Sequence, residues 1–233
     1  MNGKLYGVGL GPGDPGLITL KAARLIGAAQ VVAYPALAGA ESFARSIAAG
    51  LIAEGAHEIV IDVPMVVERG PAQAAYDKGA DRIAEALEEG LDVVVLCEGD
   101  PFFYGSFMYL FARLSARFDV EVVPGVTSVS AASARAGLPL VARNERLTIL
   151  PGPLPEDELR ARIDRAESVA IMKVGRHLPK VRSVIAGLGL EAEAVYVERV
   201  GLPEERVCPL AEAPDVAPYF SMILLVKGGD PWL

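Results

Sequence analysis

Residues 93–97 read Val-Val-Val-Leu-Cys and are followed at once by Glu98-Gly99-Asp100-Pro101. A short apolar run dominated by β-branched residues and closed by turn formers is a buried strand. The chain must turn where the two acids, the glycine and the proline meet. In open α/β sheets ligands bind at the carboxyl ends of strands, and Gly99 lets the backbone come close to a flat or bulky group. The twelve residues 101–112 carry no charge, and Phe102, Phe103, Tyr104, Phe107, Tyr109 and Phe111 make half of them aromatic. They predict a wall for a large planar molecule or a tightly packed helix.

Strands and helices alternate around this point. Residues 4–10 predict a strand that runs into the loop Gly9-Leu10-Gly11-Pro12-Gly13-Asp14. Residues 17–26 predict a helix capped by Thr19, with Leu20, Ala23 and Ile26 or Gly27 facing inward. Strands follow at 31–34 (ended by Pro35), 58–63, 91–97 and 120–123, with helices at 41–53, 71–89 and 105–117. Such alternation predicts a mainly parallel sheet. Pro124-Gly125 marks a junction between an N-terminal α/β domain, 1–123, and a C-terminal α/β domain, 124–233. The second opens with a helix of small residues, 126–137, which Thr127 or Ser128 can cap. Strands at 146–150, 168–174 and 192–200, helices at 155–166 and 178–188, and a last strand pair at 206–209 and 219–227 complete it.

A chain of 233 residues that is 52% hydrophobic can bury a sizeable core. Its formal charge of −8 argues against a general nucleic-acid binder, which needs a basic face. An anionic ligand would have to meet a local cationic patch. The first residues run straight into a strand without the regions of a signal peptide, which predicts a cytoplasmic protein. No apolar stretch reaches the roughly 20 residues of a membrane span. Cys97 and Cys208 are expected in strands as small hydrophobes, and His57 and His177 have no pairing at ligand spacing, so neither a disulfide nor a metal site is expected.

No nucleophile-and-base set is visible, and no residue is assigned as catalytic. The loop is read as failing the dinucleotide fingerprint, with Pro12 and Asp14 standing where its last glycine would fall, which disfavours a nicotinamide enzyme. The loop also lacks the Gly-Lys-Ser/Thr ending of a phosphate loop, and Asp14 would repel a phosphate. Four stretches remain as ligand-lining turns: 9–14, 98–104, 124–128 and the strand end Met172-Lys173-Val174-Gly175-Arg176.

Three of these carry a resemblance. Gly9-Leu10-Gly11-Pro12-Gly13-Asp14-Pro15 with Leu17, Thr19-Leu20 and Lys21-Ala22, then Glu98-Gly99-Asp100-Pro101 with Tyr104-Gly105, then Pro124-Gly125-Val126-Thr127-Ser128 closely resemble the tetrapyrrole methylases. These are S-adenosyl-L-methionine-dependent enzymes of the cobalamin and sirohaem pathways. The resemblance implies two α/β domains with mainly parallel or mixed sheets, a cofactor cleft between them, and a homodimer. The continuation through Phe103-Tyr104-Gly105-Ser106-Phe107-Met108-Tyr109-Leu110, with 137–141 and 172–176, is similar to the branch that methylates precorrin-2 at ring carbon 20.

Carried over by position, the family's cofactor contacts fall on Pro12, Glu98, Gly99, Asp100, Phe103, Thr127, Ser128, Met172 and Gly201. A sulfonium cation tolerates Asp14 and Asp100 nearby. The polycarboxylate substrate requires guanidinium or ammonium groups. Arg113, Arg135, Arg143, Arg146, Arg176, Lys180 and Arg199 are candidates, with Arg143 and Arg176 preferred because they adjoin ligand turns, and Tyr34-Pro35 is a candidate floor for the macrocycle. The implied chemistry is attack of an electron-rich ring carbon on the methyl group, with the protein supplying alignment and exclusion of water. Rival readings are the same fold acting on a modified histidine or an RNA ribose, and a cofactor-binding regulatory protein without turnover.

Overall fold

The computed structural model describes residues 2–64 and 68–228. The chain divides into two units, Met1–Thr127 and Ser128–Leu233. The first holds β1 (Leu5–Gly9), α1 (Leu20–Ala28), β2 (Val31–Leu37), α2 (Phe43–Ala48), β3 (His57–Val63), α3 (Arg69–Glu88), β4 (Val93–Cys97), α4 (Phe107–Leu114) and β5 (Val120–Val123). Its five strands form one parallel sheet in the order β3-β2-β4-β1-β5.

The apolar run 93–97 is the middle strand, β4, and all five of its residues are buried. Alternate side chains go to opposite faces. Val93, Val95 and Cys97 meet Ile83 and Leu87 of α3 and Phe107, Leu110 and Leu114 of α4. Val94 and Leu96 meet Ala22 and Ile26 of α1 and Ile47 of α2. The order explains this split. The path from β1 to β2 and the path from β4 to β5 run over the sheet in opposite directions, and right-handed crossovers in opposite directions lie on opposite faces. Gly7 lets the two layers close, since a Cβ there would lie 2.3 Å from the Phe107 ring.

Several local expectations shift. The strand at 31–34 continues through Pro35 to Leu37, because β2 pairs with β4 only over Val31–Ala33 and a residue without an N–H is tolerated along the edge beyond. The helix at 41–53 shrinks to α2, whose cap is the Ser42 hydroxyl accepting from the Arg45 N–H at 3.3 Å. Thr19 caps α1, its hydroxyl accepting from the Ala22 N–H at 3.1 Å. Leu20 is thereby the first helical residue and stands 91% exposed, so the inward stripe is Ala22 and Ile26 rather than Leu20 and Ala23.

The second unit holds α5 (Ser128–Ala136), β6 (Leu147–Pro151), α6 (Glu156–Arg165), β7 (Ser168–Met172), α7 (Leu178–Gly187), β8 (Ala194–Glu198), β9 (Arg206–Pro209) and β10 (Ser221–Val226). The sheet order is β6-β7-β10-β8-β9. Only β6 and β7 run parallel among its neighbours; β10 is antiparallel to β7 and β8, and β9 to β8. The final strands therefore do not pair with each other, because β8 lies between them. Leu159 and Ile163 of α6 and Leu178, Val181, Val184 and Ile185 of α7 cover one face over Val169, Ile171, Tyr196 and Ile223. Cys97 lies in β4 and Cys208 in β9, and both are thiols.

The division between the units falls four residues beyond the Pro124 at which the sequence places the junction. Residues 124–127 stay with the first unit because the Gly125 N–H donates to Asp100 Oδ2 at 3.0 Å and its Cα packs on Gly9.

Candidate functional site

In the first unit the oppositely running crossovers force the loops after β1 and β4 across one another. They meet at one reciprocal pair: the Gly11 N–H donates to the Gly99 carbonyl at 3.2 Å and the Gly99 N–H to the Gly11 carbonyl at 2.8 Å. The third turn lies against this crossing. A Cβ on Gly9 would stand 2.5 Å from the Gly125 nitrogen, and one on Gly125 would stand 2.1 Å from the Gly99 carbonyl oxygen. Backbone on backbone leaves no side chain to move aside, so these positions require glycine for closeness. Gly99 differs: at φ +63 its Cβ direction meets nothing within 4 Å. It opens on space beside the crossing.

Asp100 fastens the assembly. Its Oδ1 accepts from the N–H groups of Phe102 and Phe103 at 2.9 and 3.0 Å, and its Oδ2 accepts from Gly125. Sequence reasoning places Asp100 beside the ligand. The structure adds that its carboxylate is engaged with three backbone donors, joining the β4 turn to the 124–127 segment. No local pattern could reveal this, since Asp100 and Gly125 are 25 residues apart.

Glu98 is half-buried, and loss of solvent pushes its carboxyl above the usual range, opposed by its own N–H and that of Ala44. Pro12 and Phe103 are also half-buried. Asp14 is exposed and its Oδ1 accepts from the Gly16 N–H at 2.7 Å, which shapes the turn Pro15–Leu17. Counted from Gly11 the spacing Gly-x-Gly-x-x-Gly is met by Gly11, Gly13 and Gly16. The last of these lies in that capped turn and α1 begins only at Leu20, so the loop does not lead a phosphate onto a helix N-terminus as a dinucleotide fold does.

The expected aromatic wall divides in two. Phe107 is fully buried with Leu110, whereas Phe102, Tyr104 and Tyr109 are exposed at 47%, 43% and 41%. Tyr104 holds a left-handed φ of 57 and its ring meets Phe103 edge-on at 5.3 Å. Tyr34 is buried, and its hydroxyl donates to Glu58, which also receives Arg45 through two nitrogens at 2.7 and 2.9 Å.

Ser128, Met172, Gly201, Arg143 and Arg176 belong to the second unit. Met172 ends β7, half-buried. The Gly201 N–H donates to Glu205 Oε2 at 2.8 Å, and Arg135 reaches the same carboxylate at 2.5 Å. Other candidate cations are also committed: Arg113 to Asp77 at 2.7 Å, Arg146 to Glu167 at 2.9 Å, and Lys180 to the Leu154 carbonyl. Arg143 and Arg176 are exposed, Arg143 at φ 48 and Arg176 with Nε 3.5 Å from His177 Nε2. Among the described residues no group of three His, Cys, Asp or Glu side chains could hold a metal ion, and no helix is long and apolar enough to cross a membrane.

A family model described as Tetrapyrrole (Corrin/Porphyrin) Methylases matches residues 4–214. A precorrin-2 C(20)-methyltransferase of Sinorhizobium sp is 44% identical over 232 residues, covering 96% of this chain and 95% of that protein. A cobalt-precorrin-2 C(20)-methyltransferase of Salmonella typhimurium is 32% identical, covering 97% and 98%. Among solved structures, the cobalamin biosynthetic enzyme cobalt precorrin-4 methyltransferase superposes with a TM-score of 0.74 at 27% identity, over 96% of this chain and 94% of that one. Uroporphyrin-III C-methyl transferase from Thermus thermophilus, complexed with S-adenosyl homocysteine, gives 0.65 at 27% identity, over 97% and 92%.

Proposed function

Because this chain belongs to the tetrapyrrole (corrin/porphyrin) methylases, we propose that it transfers the methyl group of S-adenosyl-L-methionine to carbon 20 of precorrin-2, forming precorrin-3A in cobalamin biosynthesis. The observation that carries the reading is the crossing itself. Three motifs far apart in sequence are drawn to one place in the first unit, where Gly11, Gly99 and Gly125 present backbone at closest approach.

The residues there fit the cofactor. Gly99 opens on space that a side chain would fill, and its neighbours in the turn are the acids Glu98 and Asp100, which suit a sulfonium cation. When bound, S-adenosyl-L-methionine supplies an electrophilic methyl group. Pro12, Glu98, Gly99, Asp100, Phe103 and Thr127 from the first unit, with Ser128, Met172 and Gly201 from the second, are its proposed contacts. In this reading the two units are the two domains. The chain's contribution is alignment of the sulfonium with the ring carbon and exclusion of water, effects that raise rate without an acid–base pair. Arg143 and Arg176 are the proposed grips on the substrate's carboxylates, with Tyr34 behind the floor. The protein is read as a cytoplasmic homodimer.

The cobalt-loaded substrate is the second reading. Identity of 44% to the metal-free enzyme against 32% to the cobalt one favours the first. Incubation with methyl-labelled cofactor and either metal-free or cobalt-loaded precorrin-2, followed by mass spectrometry and NMR of the product, decides it. Label at carbon 20 of the metal-free macrocycle is expected. Label on neither, or at another carbon, would overturn the assignment.

A further inference from the structure

We propose that Arg45 and Glu58 are positioning residues for the cofactor site, tethering α2 so that its Ala44 N–H stays on the Glu98 carboxyl beside the sulfonium. This rests on the methylase reading above and goes beyond it by giving a task to side chains that the motifs do not contain.

The placement follows from the pleat. Val94 and Leu96 of β4 pack toward α1 and α2, and Glu98, two residues on, continues the same side past the end of the strand. There it meets α2. Ala44 is fully buried, and its N–H donates to the Glu98 carboxyl. Val32 and Tyr34 of β2 lie in the same layer with Ala44 and Ile47, and Val32 pairs with Glu58 of β3, so Glu58 also stands on the α2 side of the sheet.

A helix of six residues is not stable on its own backbone bonds, so α2 depends on its attachments. The Ser42 hydroxyl, buried at the head of the helix, donates to the Pro35 carbonyl at 2.6 Å and accepts from the Arg45 N–H at 3.3 Å. The Arg45 guanidinium donates to both Glu58 oxygens, at 2.7 and 2.9 Å, and the Tyr34 hydroxyl donates to the same carboxylate. Two parallel bonds from one guanidinium fix direction as well as distance. Glu58 is held below the ordinary carboxylate range by Arg45 first and by Tyr34 next, so the tether is charged at neutral pH. Ser42 fastens the start of α2 to β2 and Arg45 fastens it to β3. Ala44 lies between the two fastenings.

Its effect there is electrostatic. Burial pushes the Glu98 carboxyl up, and its own N–H and that of Ala44 pull it back. The titratable groups around it are Cys97 on its own strand, Tyr76 of α3 and Asp100 two residues on. Cys97 and Tyr76 are each pushed up to about 12, by burial first, and stay neutral. Asp100 is committed to its three backbone donors, and on α2 the guanidinium of Arg45 is turned to Glu58. Glu98 is thus the acid of this corner whose charge depends on where α2 stands.

Glu58→Gln removes the charge that holds Arg45, and Arg45→Met removes the guanidinium while keeping an apolar stem. In both, α2 keeps its buried face of Ala44, Ile47 and Ala48, so the variants are expected to fold. Carboxyl-carbon NMR, with the Glu98 signal assigned by its loss in Glu98→Gln, should show Glu98 titrating about one pH unit higher in each variant than in the wild type, the share of one backbone hydrogen bond to a carboxylate. The preference for S-adenosyl-L-methionine over S-adenosyl homocysteine, read by calorimetry against pH, should fade at correspondingly higher pH, because only the former carries a positive sulfur. At alkaline pH, where Glu98 is ionised in every variant, both affinities should equal those of the wild type. An equal loss of both affinities at every pH would mark a merely structural role and overturn the proposal. An unmoved Glu98 midpoint in both variants would overturn it too, as would a moved midpoint with an unmoved cofactor preference. If the wild type binds neither cofactor form, the methylase reading falls separately, and the NMR midpoint alone then decides the tether.

Discussion

At the ends of β1 and β4 the first unit offers glycines, bare backbone and acids; at the ends of β7 and β8 the second offers Lys173 and Arg199 around two exposed rings. Both places are strand ends, yet they solve opposite problems. The first brings three turns so close that side chains are excluded, and Asp100 is used as a fastener between them. The second keeps side chains in a conformation that glycine would adopt more easily. The lesson is electrostatic as well as steric. A backbone crossing flanked by the acids Glu98 and Asp100 suits a cation that must be approached closely.

The largest expected effect comes from closing the crossing. In Gly125→Ala the new Cβ would stand 2.1 Å from the Gly99 carbonyl oxygen, against backbone that cannot rotate away. Overpacking of that kind costs about 3 kcal/mol or more. Calorimetry should show loss of S-adenosyl homocysteine binding and a depressed melting temperature, and retention of both would mean the crossing is looser than the geometry describes. Asp100→Asn is next. An amide nitrogen in place of one oxygen turns a donor toward a backbone N–H, leaving it unsatisfied at a cost of about 1–3 kcal/mol. Urea unfolding should show that loss, and S-adenosyl homocysteine affinity by calorimetry should fall with it. Unchanged stability and affinity would mean that Asp100 does not fasten the turns.

The smallest effect lies away from both. Glu121 is held down to about 2 by Lys21 first and then by Lys4. Its folded pKa is depressed, so its contribution to stability is present above the ordinary carboxylate value of 4.5 and is lost as pH falls from there toward about 2. All three groups keep a third or more of their surface, or close to it, in solvent and are screened by salt, so the contribution is modest. Glu121→Gln should flatten the fall in melting temperature across that window, an effect that 1 M salt should mimic, and should leave S-adenosyl homocysteine affinity untouched. Altered cofactor affinity in this variant would tie β5 to the crossing.

Much of the fold was legible because it is local. The apolar run at 93–97, the Thr19 cap and the alternation of strands with helices each depend on residues a few positions apart. The motifs at 9–15, 98–105 and 124–128 carried the family, which the match over residues 4–214 bears out. Leu20 misled, since an apolar residue at the first position of a capped helix need not face the core. Pro35 also misled, because a proline ends a strand only where its missing N–H is needed.

The sequence by itself determined that two α/β halves would form and which turns would bear glycine, since periodicity and turn chemistry are short-range. Tertiary structure decided what those turns do. Gly11 meets Gly99 because crossovers of one hand run in opposite directions, Asp100 reaches Gly125 because β4 and β5 both flank β1, and Lys173 shares an edge with Arg199 because β10 returns between their strands. Each is a contact between residues distant along the chain, set by sheet order and strand direction, which a linear pattern does not encode.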